Sequence, residues 1–93
     1  MSKKYASNVD SNQKEIVRLF RSRGCVVEHT HNAGGGFPDI VVGCRGVSVL
    51  VEIKSKGGKL NERQKAFFKR FTGACEVVYN EQDVDRVINV YFK

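Results

Sequence analysis

Two β-branched runs separated by only three residues constrain this chain most. Asp39-Ile40-Val41-Val42-Gly43 and Val47-Ser48-Val49-Leu50-Val51-Glu52-Ile53-Lys54 flank Cys44-Arg45-Gly46. Runs this rich in Val and Ile read as strands, and a tight glycine-containing connection folds two of them into an antiparallel hairpin. Pro38, the only proline, stands just ahead of the first run, where a strand tolerates it. In the second run, a period of two sends Val47, Val49, Val51 and Ile53 to one face. Ser48, Leu50, Glu52 and Lys54 take the other, so Glu52 and Lys54 project side by side about 7 Å apart.

The remaining elements arrange themselves around this hairpin. Ile16, Leu19 and Phe20 form an apolar stripe at helical spacing, capped by Asp10 or Ser11 with Gln13 completing a capping box, and stopped by Gly24. Residues 1–9 read as a loose lead-in. Cys25-Val26-Val27 opens a strand running towards His31, and Asn32-Ala33-Gly34-Gly35-Gly36 is a flexible connection. Past the hairpin, Ser55 to Lys59 is a basic loop, and a helix starts at Leu60 or Asn61 and runs through Phe71 to a stop at Gly73. A strand over Cys75-Glu76-Val77-Val78-Tyr79 and a short helix carrying Asp83, Val84, Val87, Ile88 and Tyr91 complete the order α-β-β-β-α-β-α. With 93 residues there is room for one α/β domain spanning residues 1–93 and no second core.

Composition narrows the class of function. Hydrophobic residues at 41% and charged residues at 28% predict a compact soluble fold. No apolar run is long enough to span a membrane, and no apolar segment follows Lys3 and Lys4 as a secretory signal requires. Cys25, Cys44 and Cys75 include no C-x-x-C pair, which supports neither a zinc knuckle nor a disulfide framework. A cytoplasmic domain is expected. The net charge of +6 is concentrated. Residues 54–70 hold seven bases (Lys54, Lys56, Lys59, Arg63, Lys65, Lys69, Arg70) and one acid, Glu62, while the rest of the chain is neutral. Such a run is either a solvated helix face or a surface that contacts phosphates.

Chemistry enters at the end of the hairpin. Asp39 begins the first strand and Glu52 nearly ends the second, so antiparallel pairing brings the two carboxylates together. By itself Glu-x-Lys is also what a weak ion pair at a sheet edge looks like. Two converging carboxylates repel unless a cation lies between them. A hard divalent ion with oxygen ligands, Mg²⁺ or Mn²⁺, resolves the repulsion, and the main-chain carbonyl of Ile53 is a further oxygen ligand. Gln64 adds an amide to the otherwise apolar stripe Leu60, Phe67, Phe68 and Phe71, where a buried polar group needs partners. His29 and His31 alternate on a strand and share a face, but lack the supporting ligands of a metal pair, and Gly34-Gly35-Gly36 lacks the Gly-Lys-Ser/Thr of a P-loop.

Pro38-Asp39, Glu52 thirteen residues on, and Ile53-Lys54 match the PD-(D/E)xK nuclease motif. Three blocks in order, Gly36-Phe37-Pro38-Asp39, Val51-Glu52-Ile53-Lys54 and Leu60-Asn61-Glu62-Arg63-Gln64-Lys65-Ala66-Phe67-Phe68, resemble the VRR-nuc nucleases. These are a branch of the restriction-endonuclease-like superfamily, and the resemblance covers Glu15 to Phe68. It implies a restriction-endonuclease-like core, with a mixed sheet of about four strands flanked by helices. It also implies metal held by Asp39, Glu52 and the Ile53 carbonyl, with Glu15 near it directly or through water. Lys54 would orient the attacking water or stabilise transition-state charge, Gln64 and the aromatic Phe68 would point into the site, and the products would be a 5′-phosphate and a 3′-hydroxyl. Lys56, Lys59, Arg63, Lys65, Lys69 and Arg70 would grip DNA phosphates.

The expected function is a Mg²⁺- or Mn²⁺-dependent DNA endonuclease. A homodimer would nick four-way junctions symmetrically, with Val90, Tyr91 and Phe92 joining the interface. The alternatives are a non-catalytic basic module that binds nucleic acid, and a nickase or flap nuclease without preference for DNA structure.

Overall fold

The computed structural model describes residues 2–93, with side chains described from Asn12 onward. Its elements run α1 (Ser2–Ser22), β1 (Val26–His29), a 3₁₀ turn (His31–Ala33), β2 (Ile40–Cys44), β3 (Val47–Ile53), α2 (Glu62–Arg70), β4 (Cys75–Val78) and α3 (Glu81–Tyr91). The order is the expected α-β-β-β-α-β-α, and the fold is α/β.

The first helix departs from expectation at its start. It runs back to Ser2 and does not begin at Asp10 or Ser11, so residues 1–9 are not a loose lead-in from Ser2 onward. No Gly or Pro interrupts the sequence before Gly24, and Lys3, Lys4 and Ala6 are good helix formers, so nothing local stops the helix. The capping box on Asp10 falls on a side chain outside those described, and Gln13 instead approaches His29 Nδ1 through its Nε2 at 3.1 Å. At the other end Gly24, at φ 87°, turns the chain out of the helix. His29 and His31 do not share a strand face, because β1 ends at His29 and His31 opens the 3₁₀ turn.

The sheet is ordered β1-β2-β3-β4, antiparallel across the first two pairs and parallel across the third. Arg45 and Gly46 both take positive φ, 54° and 82°, the signature of a two-residue primed turn that matches strand twist. The turn closes the register Cys44↔Val47 through Ile40↔Val51. Alternation then places Ile40, Val42, Val49, Val51 and Ile53 on one face, in a core with Ile16, Leu19 and Phe20 of α1 and Val84 and Val87 of α3. Arg23 ties α1 to α3 through Glu81 at 2.9 Å and Asp85 at 2.7 Å.

The opposite face takes α2. There the main apolar anchor is Phe67, which meets Phe37 edge-on at 5.1 Å and stacks on Phe71 at 5.1 Å. The α2 stripe is thus only partly buried: Phe68 is half-buried and Phe71 is exposed at the helix end. The C-terminus corrects another expectation. Phe92 is buried in the core and the Tyr91 hydroxyl donates to Glu76 Oε2 at 2.6 Å, so of the three C-terminal apolar residues only Val90, 64% exposed, is left free for an interface.

Candidate active site

The β2–β3 register, extended one step past Ile40↔Val51, sets Asp39 directly opposite Glu52. Asp39 leaves the ladder here because Pro38 precedes it, and two bonds from Thr30 hold this corner. Thr30 N–H donates to the Asp39 carbonyl at 2.8 Å and its hydroxyl to the Pro38 carbonyl at 2.8 Å. The Asp39 carboxylate turns across the strand end, where Oδ2 accepts the Ile53 N–H at 2.9 Å. On a strand, a residue's N–H and C=O lie on the same edge. The Ile53 carbonyl therefore faces the side on which Asp39 lies.

Among the described residues Glu52 is the one charged residue that is buried, at 3% exposure. Its Oε2 is crowded: Gln64 Nε2 donates to it at 2.9 Å and Lys54 Nζ approaches to 3.5 Å. Its Oε1 is buried with no hydrogen-bond partner. Burial, and secondarily the Asp39 carboxylate, push the Glu52 pKa up to about 7, against the pull of Lys54. A carboxylate that is buried, half-partnered and beside a second carboxylate is a costly arrangement, and that cost marks functional sites.

Gln64 owes its position to the start of α2. Asn61 caps the helix through Oδ1 to the Gln64 N–H, and Gln64 Oε1 accepts the Asn61 N–H, both at 2.9 Å. One end of the amide closes the capping box, leaving the other to reach Glu52. Gly36, at φ 85°, lets the loop lie against this helix start, since a Cβ there would collide with the Arg63 carbonyl. The words Gly-Phe-Pro-Asp and Asn-Glu-Arg-Gln are thus in contact in three dimensions.

Asp39, Glu52, Lys54, Ile53 and Gln64 come together as expected. Glu15 does not: it lies on the exposed side of α1, 52% exposed at its side chain, paired with Arg18 at 2.7 Å. That pair holds its carboxyl below the usual range. Among the described residues α1 reaches the site through Asn12, whose Nδ2 donates to the Lys54 carbonyl at 2.9 Å. Asn12 went unnoticed in the sequence although it sits four residues before Ile16 on the same stripe, the signal that identified Gln64. Tyr79 is a second such residue. Its hydroxyl donates to the Gly58 carbonyl at 2.7 Å and pins the basic loop to the end of β4.

Lys56, Lys59, Arg63, Lys65, Lys69 and Arg70 are all exposed. They lie on the loop and helix that follow Lys54, so the basic surface adjoins the carboxylates. The Arg70 guanidinium rests 5.2 Å from the centre of the Phe67 ring, which holds one of these charges in place. Lys65 lies 3.5 Å from Glu62 in an exposed pair.

The donor set is all oxygen: two carboxylates and a main-chain carbonyl. Among the described residues there is no cluster of three or more His, Cys, Asp and Glu side chains placed for a metal. Two carboxylates fit a Mg²⁺-type ion, which keeps several waters and fills its remaining positions with substrate phosphate oxygens. The partnerless Glu52 oxygen is the atom such an ion would satisfy.

Comparison with known proteins agrees with this fold. A solved structure described as a VRR_NUC domain superposes with a TM-score of 0.73 at 28% identity, covering 89% of this chain and 96% of that one. No curated protein sequence matches the chain. The family model "Archaeal holliday junction resolvase (hjc)" matches residues 5–74. The chain belongs to this archaeal Holliday junction resolvase family, within the restriction-endonuclease-like nuclease superfamily.

Proposed function

We propose that the protein is a metal-dependent endonuclease that cuts four-way DNA junctions as a homodimer. The observation that carries this reading is Glu52: buried, one oxygen tied to Gln64 and Lys54, the other without a partner, and Asp39 opposite. A fold gains nothing from such a residue unless a cation completes it.

Asp39, Glu52 and the Ile53 carbonyl would hold Mg²⁺ or Mn²⁺, which when bound acidifies a coordinated water and offsets charge on the scissile phosphate. Lys54 places a positive charge beside the same carboxylate, where negative charge grows on the phosphate in the transition state. Gln64 keeps Glu52 in one orientation, leaving Oε1 free to bind. Asn12 and Tyr79 fix the two ends of the segment between Lys54 and Gly58, so the basic loop leaves the site in a set direction. Lys56, Lys59, Arg63, Lys65, Lys69 and Arg70 would bind backbone phosphates without reading bases. Glu15 has no part in this reading.

The dimer is supported by the symmetry of the reaction. One chain carries one site, and resolving a junction needs two nicks related by symmetry. The matched family is named for that substrate. A labelled four-way junction incubated with Mg²⁺, Mn²⁺ or EDTA is the test. Paired nicks only with metal, absent in Asp39→Ala and stronger on the junction than on linear duplex, are expected. Tight binding with no cleavage in either metal would make the protein a non-catalytic DNA-binding module.

A further inference from the structure

Cys25 and Cys44 face each other across the β1–β2 ladder. Register in this pair runs from His29↔Ile40 to Val26↔Gly43, and one step further sets Cys25 opposite Cys44. The Thr30 N–H bonds the Asp39 carbonyl at 2.8 Å, which makes that rung a hydrogen-bonded one. Rungs alternate, so Glu28↔Val41 and Val26↔Gly43 are of the same kind, while Cys25↔Cys44 is a close, non-hydrogen-bonded rung. The Cys25 N–H fits this, since it bonds the Phe20 carbonyl at 3.1 Å. Residues opposed on such a rung lie about 4.5 Å apart at Cα, within the span of a disulfide.

Both sulfurs are free thiols, Cys25 buried in the core and Cys44 half-buried against it. Cys44 Sγ lies 3.9 Å from the Gly24 carbonyl, so its side chain leans towards the start of β1. Burial first, and then the neighbouring Cys44 sulfur, raise the Cys25 pKa to about 11. The two thiols therefore differ in role: Cys25 stays protonated and shielded, and Cys44 meets solvent.

We propose that Cys25 and Cys44 are a redox modification site, joined into a reversible cross-strand disulfide by an oxidant of the peroxide class. The Cys44 thiolate attacks one peroxide oxygen, the O–O bond breaks, and the departing hydroxide takes a proton to become water. The Cys25 sulfur then attacks the Cys44 sulfenic acid. The S–S bond forms as the S–O bond breaks, and the Cys25 proton leaves with the second water. Two thiols lose two electrons and one peroxide becomes two waters.

The bond closes a ring from Cys25 to Cys44 that contains β1 and the glycine-rich loop. Restricting that segment in the unfolded chain stabilises the folded one. Asp39 lies five residues along the chain from Cys44, roughly 17 Å at strand spacing. The switch thus acts on the persistence of the fold, at the end of the sheet away from the carboxylates.

The test treats reduced full-length protein with hydrogen peroxide and maps its peptides without reduction, after cleavage at Glu28 and Asp39. The expected result is a Cys25–Cys44 link, loss of two free thiols with Cys75 retained, and a melting midpoint raised by about 10 °C and restored by dithiothreitol. Cys75→Ser should behave identically, and Cys44→Ala, which trims a half-buried side chain, should show neither link nor shift. A Cys44 sulfinic acid without the link, a bridge through Cys75 or between chains, or a linked form melting no higher than the reduced one would overturn the proposal.

Discussion

Burial sets the pH behaviour of Glu52, and through it part of the stability of the metal-free chain. The Glu52 pKa rises from an ordinary 4.5 to about 7 on folding. Between those values the folded state binds the extra proton, so stability is greatest below pH 4.5 and falls as pH rises to about 7. The loss is at most about 3 kcal/mol. Glu52→Gln should remove this slope and melt higher than the parent at pH 8 in EDTA; an unchanged slope would show that another group titrates. Mn²⁺ at pH 8 should raise the parent's melting temperature, and both Glu52→Gln and Asp39→Ala should abolish that rise. Lys54→Ala should leave the fold intact and lower cleavage by at least about 100-fold, as loss of a transition-state contact does. These residues were legible in the sequence because β alternation and a short turn dictate which side chains meet. Glu15 was not, because a residue at the rim of a helical stripe can rotate to either side, and Arg18 at i+3 takes its carboxylate.

At the scale of elements, the glycine-rich loop and the start of α2 form one unit. Gly36→Ala combines a disfavoured positive φ with a clash against Arg63, and should destabilise by more than about 1 kcal/mol while displacing Gln64. Chemical denaturation and junction cleavage together measure both losses; a variant of normal stability and turnover would mean that the loop does not support the site. Asn61→Ala should cost about 1 kcal/mol through its cap. It should also slow cleavage, because the first turn of α2, which presents the Gln64 side chain to Glu52, frays once the Gln64 N–H loses the Asn61 side chain. The cap at Asn61 could be anticipated from Asn-x-x-Gln. Its double use could not, because the second partner of Gln64 lies on a strand twelve residues earlier.

For the whole molecule, the proposed grip on DNA rests on charge. The excess of +6 lies entirely within residues 54–70, and those side chains, apart from the half-buried Lys54, are exposed next to the site. Affinity for DNA should fall steeply with salt. Each of Lys56→Gln, Lys59→Gln and Lys65→Gln should flatten the log–log slope by about 1 and weaken all sequences alike. Fluorescence anisotropy across a salt series reads both quantities, and a loss confined to one DNA sequence would contradict a phosphate-gripping surface.

The β2–β3 hairpin and the convergence of Asp39 with Glu52 and Lys54 follow from the sequence alone, since each depends on alternation and a turn within sixteen consecutive residues; the pairing of β1 and β4 onto that hairpin does not. The stops of α1 and α2 were similarly local: Gly24 follows the first, and the second ends at Arg70 with Phe71 as its cap, a residue short of the expected end and ahead of Gly73. Other features depended on contacts between distant segments. Tertiary structure decided that Asn12 and not Glu15 approaches Lys54, that Phe67 alone of the α2 stripe is buried, and that Tyr91 and Phe92 return to their own core. It also set Cys25 against Cys44 across a ladder. The physical reason is range: period and turn chemistry act over a few residues, whereas the rotation of a helix about its axis is set by what packs against it.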